Sequence, residues 1–364
     1  MNPDHLLSAE ALEAVGGAIC EWTVDQLYAE DPSMNQRYGA DGRRLWRNEI
    51  QTRLAHLVES IATNEPAIFL SNASWSRAGL LAREMGDGDL EHSLRCMSSV
   101  IQENVVAELA LRTQAMIDAS VVQMREEAPL ASSTLDHMGP DGTLARLYLL
   151  YLLQRNRDQA FGIVDTLLAS GMSLGHLYER VIAPAMAEIG HMWHLHEASI
   201  ADEHFCTAAT QVIMAQLRAK SRCKPANGLV VITCCAGGDL HELGIRMVSD
   251  IFEVEGWRVE CLGPNMPSAE CVAASAEQPY RPPAHLVAIS AGTPLALRSV
   301  AQMIQQIRAG ANGSRTTVLV GGRPFHLAPN LWRTVGADGY APTVSLAATI
   351  GLELVRKHGI VTIA

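Results

Sequence analysis

Residues 229–235, Leu229-Val230-Val231-Ile232-Thr233-Cys234-Cys235, form an uninterrupted apolar run rich in β-branched side chains. Such a run suits a strand buried on both faces, as in a parallel sheet covered by helices. Gly237 and Gly238 end it. From Leu243 a helical period takes over, with Leu243, Met247, Val248, Ile251 and Phe252 on one face. Asp239 and His241 therefore fall in a strand-to-helix turn at the carboxyl edge of a parallel sheet, where open α/β sheets bind ligands. A histidine there can offer one ring nitrogen to a metal while the carboxylate two residues earlier holds the other. The same pair also reads as an ordinary loop histidine satisfied by its neighbour.

Strand and helix patterns alternate from there on. Strands are expected at 229–235, 258–263, 285–291, 316–320 and 338–341, which fits a flavodoxin-like, doubly wound sheet. Residues 1 to about 125 read as all-helical. Leu45, Ile50, Leu54, Leu57, Val58 and Ile61 make one helical stripe, and a second helix starts at Asp87 and runs towards Glu126. Turn residues dominate 126–142. Helical segments at 144–154, 157–170, 174–193 and 200–222 then suggest a four-helix bundle, and 223–228 form a second linker. The fold class is thus α plus α/β, with domains at 1–128, 140–223 and 226–364.

Composition narrows the function. The net charge of −11 lacks the clustered Lys and Arg that nucleic-acid phosphates require. No apolar run approaches a membrane span, and the start has no signal-peptide form, so a cytoplasmic protein is expected. The eight cysteines are scattered without zinc-ligand spacing. Cys234 and Cys235 point to opposite faces of their strand and read as small core side chains.

Asp239-x-His241-x-x-Gly244 resembles the signature of domains that bind cobalamin base-off with histidine on cobalt. Two further segments follow in the family's order: 286–292, with Ser290, and 318–322, ending in Gly321-Gly322. The family usually carries Ser-x-Leu, whereas this chain has Gly292, which implies altered local packing. The resemblance implies that His241 is the lower cobalt ligand and Asp239 its support. Ser290, Gly292, Gly321 and Gly322 would lie near the buried nucleotide tail.

A second constellation lies in the bundle. Ser199 with Asp202 three residues on reads as a helix N-cap, so one helix ends near Trp193 and another starts at Ile200. Glu203 and His204 occupy the new helix's first turn. Trp193, Glu203 and His204 resemble the Trp-x9-Glu-His motif of light-sensing adenosylcobalamin proteins. That likeness implies Trp193 against the adenosyl group, Glu203 on its ribose, and His204 as the upper cobalt ligand after light breaks the cobalt–carbon bond. A core tryptophan with a capped, exposed Glu-His pair is the plain alternative. His191, His194 and His196 are less constrained and read as surface or rim residues.

The first 125 residues carry no basic recognition helix and are similar to the helical domain of photocobilins, which hold biliverdin beside cobalamin. Arg43, Arg44, Arg47, Arg53 and His56 would then face the tetrapyrrole's polar groups, and Trp46 and Trp75 its rings. Trp46, Phe69 and Trp75 also read as plain core. The expected function is a non-enzymatic light sensor that reports through light-dependent homo-oligomer assembly or a separate output protein. The alternatives are a corrinoid methyl carrier serving a methyltransferase and a mutase subunit lacking its barrel.

Overall fold

The computed structural model describes residues 1–128 and 132–359, so residues 129–131 of the expected linker lie outside the described residues. The chain divides into two compact units, Met1–Ala131 and Ser132–Ala364.

The first unit is helical: α1 (Pro3–Ala14), α2 (Gly16–Glu30), α3 (Met34–Tyr38), α4 (Gly42–Thr63), α5 (Pro66–Ala82), α6 (Asp87–Asn104) and α7 (Ala107–Glu126). Asn64 adopts a left-handed conformation, φ 56°, and closes α4. Pro66 opens α5, where a missing N–H is no loss. The single helix expected from Asp87 towards Glu126 is two helices. Val105 is extended (φ −125°, ψ 168°), and the Asn104 side-chain amide donates to the Val100 carbonyl in the last turn of α6. Two successive β-branched residues favour that break over continued helix. Helix α4 packs on α1, α2 and α5, and Trp46, Leu57, Ile61, Phe69, Leu94 and Ile117 lie in the core.

The second unit begins with the bundle: α8 (Gly139–Leu153), α9 (Arg157–Ala169), α10 (Leu174–Leu177), α11 (Ala183–His194) and α12 (Ile200–Lys220). Tyr178–Ile182 join α10 to α11 as a π-helical turn. Pro184 cannot donate to a carbonyl one turn back, which loosens the ladder at that point. Ser199 and Asp202 form a full capping box at the start of α12, as their spacing predicts.

A five-stranded parallel sheet follows, in the order β2-β1-β3-β4-β5. Its strands are β1 (Val230–Ala236), β2 (Arg258–Met266), β3 (Leu286–Ser290), β4 (Thr317–Gly321) and β5 (Gly339–Tyr340). That is the flavodoxin-like order the alternation predicts. Helices α13 (Leu243–Val254), α14 (Ser268–Ser275), α15 (Leu297–Ala309), α16 (Pro324–Leu327), α17 (Leu331–Thr334) and α18 (Val344–Lys357) connect or follow the strands. Strand β2 outlasts the expected stop at Gly263-Pro264. The β1–β2 register is irregular beyond Thr233, so Pro264 falls where the ladder is already broken, on an edge strand. The bundle packs on α13 and α18, and one core runs from Tyr148 and Ile213 through Phe252 to Leu286. Tyr178, fully buried, donates its hydroxyl to Asp250 Oδ2 at 2.5 Å across this contact.

Candidate functional site

The strand register brings the three separated sequence segments together. Cys235 on β1 lies beside Ser290 on β3, and Ser290 lies beside Gly321 on β4. The turn carrying Asp239 and His241 follows β1 at this carboxyl edge. Gly238, at φ 86°, gives the turn a conformation that a side chain would resist. Asn265 braces it from β2: its side-chain oxygen accepts the Gly238 N–H at 2.7 Å, and its own N–H donates to the Asp239 carbonyl at 2.8 Å. Nothing in the sequence singled out Asn265, which follows Gly263-Pro264 and takes a positive φ, 51°, in the fold.

Asp239 is the fixed point of the turn. Its side chain is fully buried and accepts three N–H groups: the backbone of His241 at 3.0 Å, His241 Nδ1 at 2.7 Å, and the backbone of Gly292. Burial opposes the carboxylate charge, but the hydrogen bonds from His241 and Gly292 outweigh it and hold the Asp239 carboxyl below its ordinary range. The hydrogen bond to Asp239 raises the His241 pKa above its usual value, helped by the charges of Asp239 and Glu203, against burial and the Arg323 charge. With Nδ1 tied to Asp239 and the side chain 65% exposed, Nε2 is the nitrogen left to face a ligand. This is the arrangement of a metal-ready imidazole and its supporting carboxylate.

Gly292 has a sharper role than altered packing. A Cβ there would lie 2.4 Å from His241 Cβ and 2.8 Å from its Nδ1. The missing side chain is what lets His241 sit against Asp239. At Gly322, φ 106°, a Cβ would come within 2.0 Å of the Ala291 carbonyl oxygen, so backbone approaches backbone directly. Gly244 is different: its nearest neighbour would be Ser290 Oγ at 3.9 Å, across open space. That space is a cavity of about 350 Å³ lined by Gly244, Val248, Ser290, Gly321, Gly322 and Val344, among others. A narrow, largely apolar recess opening beside a ligand-ready histidine fits a cofactor with a long tail. A larger and more open hollow of about 620 Å³ lies on the bundle, lined by Arg155, Asn156, Phe205 and Val212. It is lined by α9, α12 and the turn before α9, whereas the smaller cavity is lined by Gly244, Ser290, Gly321 and Gly322, the segments that meet at the sheet edge carrying His241.

Helix α12 reaches the same edge. Gln211 on α12 donates its side-chain amide to Glu242 Oε1, next to His241, and the Glu203 charge acts on His241 itself. Glu203 Oε1 accepts the Thr207 hydroxyl at 2.8 Å, and Oε2 lies 2.8 Å from His204 Nδ1. The His204 side chain is 75% exposed. Trp193, in the last turn of α11, is 45% exposed, and Leu240, in the His241 turn, is 72% exposed. Contrary to the surface reading, His191 is buried, at 4% exposure.

In the first unit the expected bilin contacts separate. Arg43, Arg44 and Arg47 pair with Asp25, Asp41 and Glu21 on exposed helix faces. Trp46, Phe69 and Arg53 are instead wholly inside the core, and Trp75 is half-buried. His56 Nδ1 bonds the Thr52 carbonyl of its own helix at 2.9 Å.

Comparison with known proteins adds an independent line. Residues 229–348 match a family model described as a B12 binding domain, and residues 144–218 match a second model of the same description. Both matches lie within the second unit. The dimethylamine corrinoid protein 2 of Methanosarcina mazei is 29% identical over 194 residues, which is 53% of this chain and 81% of that protein. Its namesake from Methanosarcina acetivorans is 27% identical over the same length and the same shares. The structure of the Methanosarcina barkeri monomethylamine corrinoid protein superposes with a TM-score of 0.50 at 18% identity, over 57% of this chain and 96% of that one. At that identity the superposition speaks for the fold alone. No helix among the described residues is long and apolar enough to cross a membrane.

Proposed function

This chain is a cobalamin-binding protein, and we propose that it uses adenosylcobalamin as a light sensor and not as the cofactor of an enzyme. One observation carries the reading: Glu203 and His204 open α12, the helix whose Gln211 bonds Glu242 beside His241 at the sheet edge. His241 Nε2 would hold the cobalt, steadied by Asp239, and the cavity beside Gly244 would take the nucleotide tail. Bound adenosylcobalamin supplies a cobalt–carbon bond that light breaks. Trp193 offers its open indole face to the nucleoside, and Glu203 accepts its hydroxyls by exchanging partners with Thr207 and His204. With Nδ1 held by Glu203, His204 keeps Nε2 for cobalt once the adenosyl group has gone. A His204 drawn to cobalt would shift α12, and because packed helices move between discrete arrangements, subunit contacts would change with it. The reading includes a homo-oligomer and a separate output protein.

A second reading, methyl carriage, has a specific observation of its own. The named relatives are methylamine corrinoid proteins, and the comparisons bear on this reading more directly than on light sensing. The Glu203–His204 pair and the whole first unit are what it leaves unused. Size-exclusion chromatography of the adenosylcobalamin-loaded full chain, dark against illuminated, separates the two. The sensor reading expects a changed elution volume after light in the wild type and none in His204→Ala. Complete photolysis with unchanged elution would overturn it in favour of the carrier.

A further inference from the structure

Helix α6 carries His92 and Cys96 four residues apart, which puts both on one helix face. That face packs on α2, whose last residue is Glu30. One ligand atom from each of the three, His92 Nε2, Cys96 Sγ and a Glu30 carboxylate oxygen, lies within 4.8 Å of the other two. Glu30 Oε2 is the meeting point, 2.8 Å from His92 Nε2 and 3.7 Å from Cys96 Sγ. The carboxylate is already oriented, because Gln26 donates to its other oxygen, Oε1, at 2.7 Å. From these residues we infer that the first unit holds a divalent transition-metal site, with Zn²⁺ as the natural occupant, on Glu30, His92 and Cys96.

The chemistry of the donor set argues for a cation of this class. One imidazole, one thiolate and one carboxylate are the ligand types zinc takes, and hard ions such as Mg²⁺ and Ca²⁺ do not choose sulfur. Ordinary zinc–ligand lengths put the edges of a tetrahedral site at about 3.4–3.6 Å. The Glu30–Cys96 separation already matches, and the Glu30–His92 hydrogen bond has to open by about half an ångström to admit the ion. Gln26 supplies the kind of supporting bond that keeps a metal carboxylate in place. The arrangement has one buried side and one wet side: Cys96 is 1% exposed, while the Glu30 side chain is 48% exposed. Three protein ligands beside an exposed edge leave a fourth position for water or an incoming donor, the coordination of an open site.

The test uses the full chain, purified free of corrinoid and metal, with Co²⁺ as the spectroscopic probe and Zn²⁺ as competitor. One equivalent of Co²⁺ should raise a thiolate-to-cobalt charge-transfer band together with tetrahedral visible bands, and Zn²⁺ should displace both. Cys96→Ser should lose the charge-transfer band, and His92→Ala and Glu30→Gln should weaken binding, with far-UV circular dichroism unchanged. Cys223→Ser, Cys261→Ser and His241→Ala, which alter exposed thiols and the corrinoid site, should leave the band intact. A band that survives Cys96→Ser, or one abolished by His241→Ala instead, would overturn the assignment. So would a wild-type protein that gives no band at one equivalent.

Discussion

Asp239→Ala isolates the part of the site that orients His241 without touching the ligand nitrogen. The substitution removes an ionised acceptor from three N–H groups, those of Gly292, the His241 backbone and His241 Nδ1. Hydrogen bonds to charged groups contribute about 1.5–3 kcal/mol each, but the exposed His241 ring can turn to solvent, so the losses do not add. An overall destabilisation of about 2–4 kcal/mol is expected for the cofactor-free protein. Its pH dependence has a definite sign. The His241 share, from a raised pKa, is complete below its ordinary value near 6.5 and is lost as pH rises through the raised value. The Asp239 share, from a lowered pKa, is present above 3.8 and is lost as pH falls through the lowered value. The difference between wild type and variant in urea unfolding should therefore be largest between those two pH values. Cobalamin affinity should fall by about 10–100-fold, the usual cost of losing the carboxylate behind a metal-bound histidine. An Asp239→Ala protein with unchanged affinity and an unchanged unfolding midpoint would refute this reasoning.

Gly244→Leu fills the cavity from a position where no backbone is crowded, so cobalamin binding should be lost while the apo-protein's thermal midpoint stays within a few degrees of wild type; retained binding would place the tail elsewhere. Gly292→Ala pushes directly on His241 and should weaken binding by at least about tenfold, measured by titration. Asp250, whose pKa burial raises to about 6, makes a contribution that is complete below its ordinary 3.8 and is lost as pH rises through about 6. Asp250→Asn should remove that loss and add about 2–3 kcal/mol above pH 6 relative to wild type, read from urea curves at two pH values.

The parallel sheet was legible because β1 is apolar on both faces, β-branched and ended by glycines, signals that survive any tertiary context. Asp239, His241 and Gly244 were legible because they fall within six residues at one strand-to-helix junction. The role of Gly292 was not, because the clash it avoids is with a residue 51 positions earlier, and only the fold brings the two together. Asn265, Gln211 and Glu242 were missed for a related reason: each acts through hydrogen bonds across elements and has no pattern of its own. The α6–α7 break was hidden because Val105 and Val106 interrupt an otherwise good helical sequence without a glycine or proline to mark them. Trp46 read both as core and as slot lining, and its full burial among helices bears out the core reading.

The claim on which the rest depends is that a protein imidazole, and specifically His241, sits on cobalt in place of the cofactor's own base. Electron paramagnetic resonance of the reduced, cobalt(II) form tests it most directly, since an axial nitrogen splits the cobalt lines. Protein grown with ¹⁵N-histidine and loaded with unlabelled cobalamin should show the altered splitting of a ¹⁵N ligand, and His241→Ala should lose that splitting altogether. A spectrum indifferent to the label, or one that survives His241→Ala, would contradict the account.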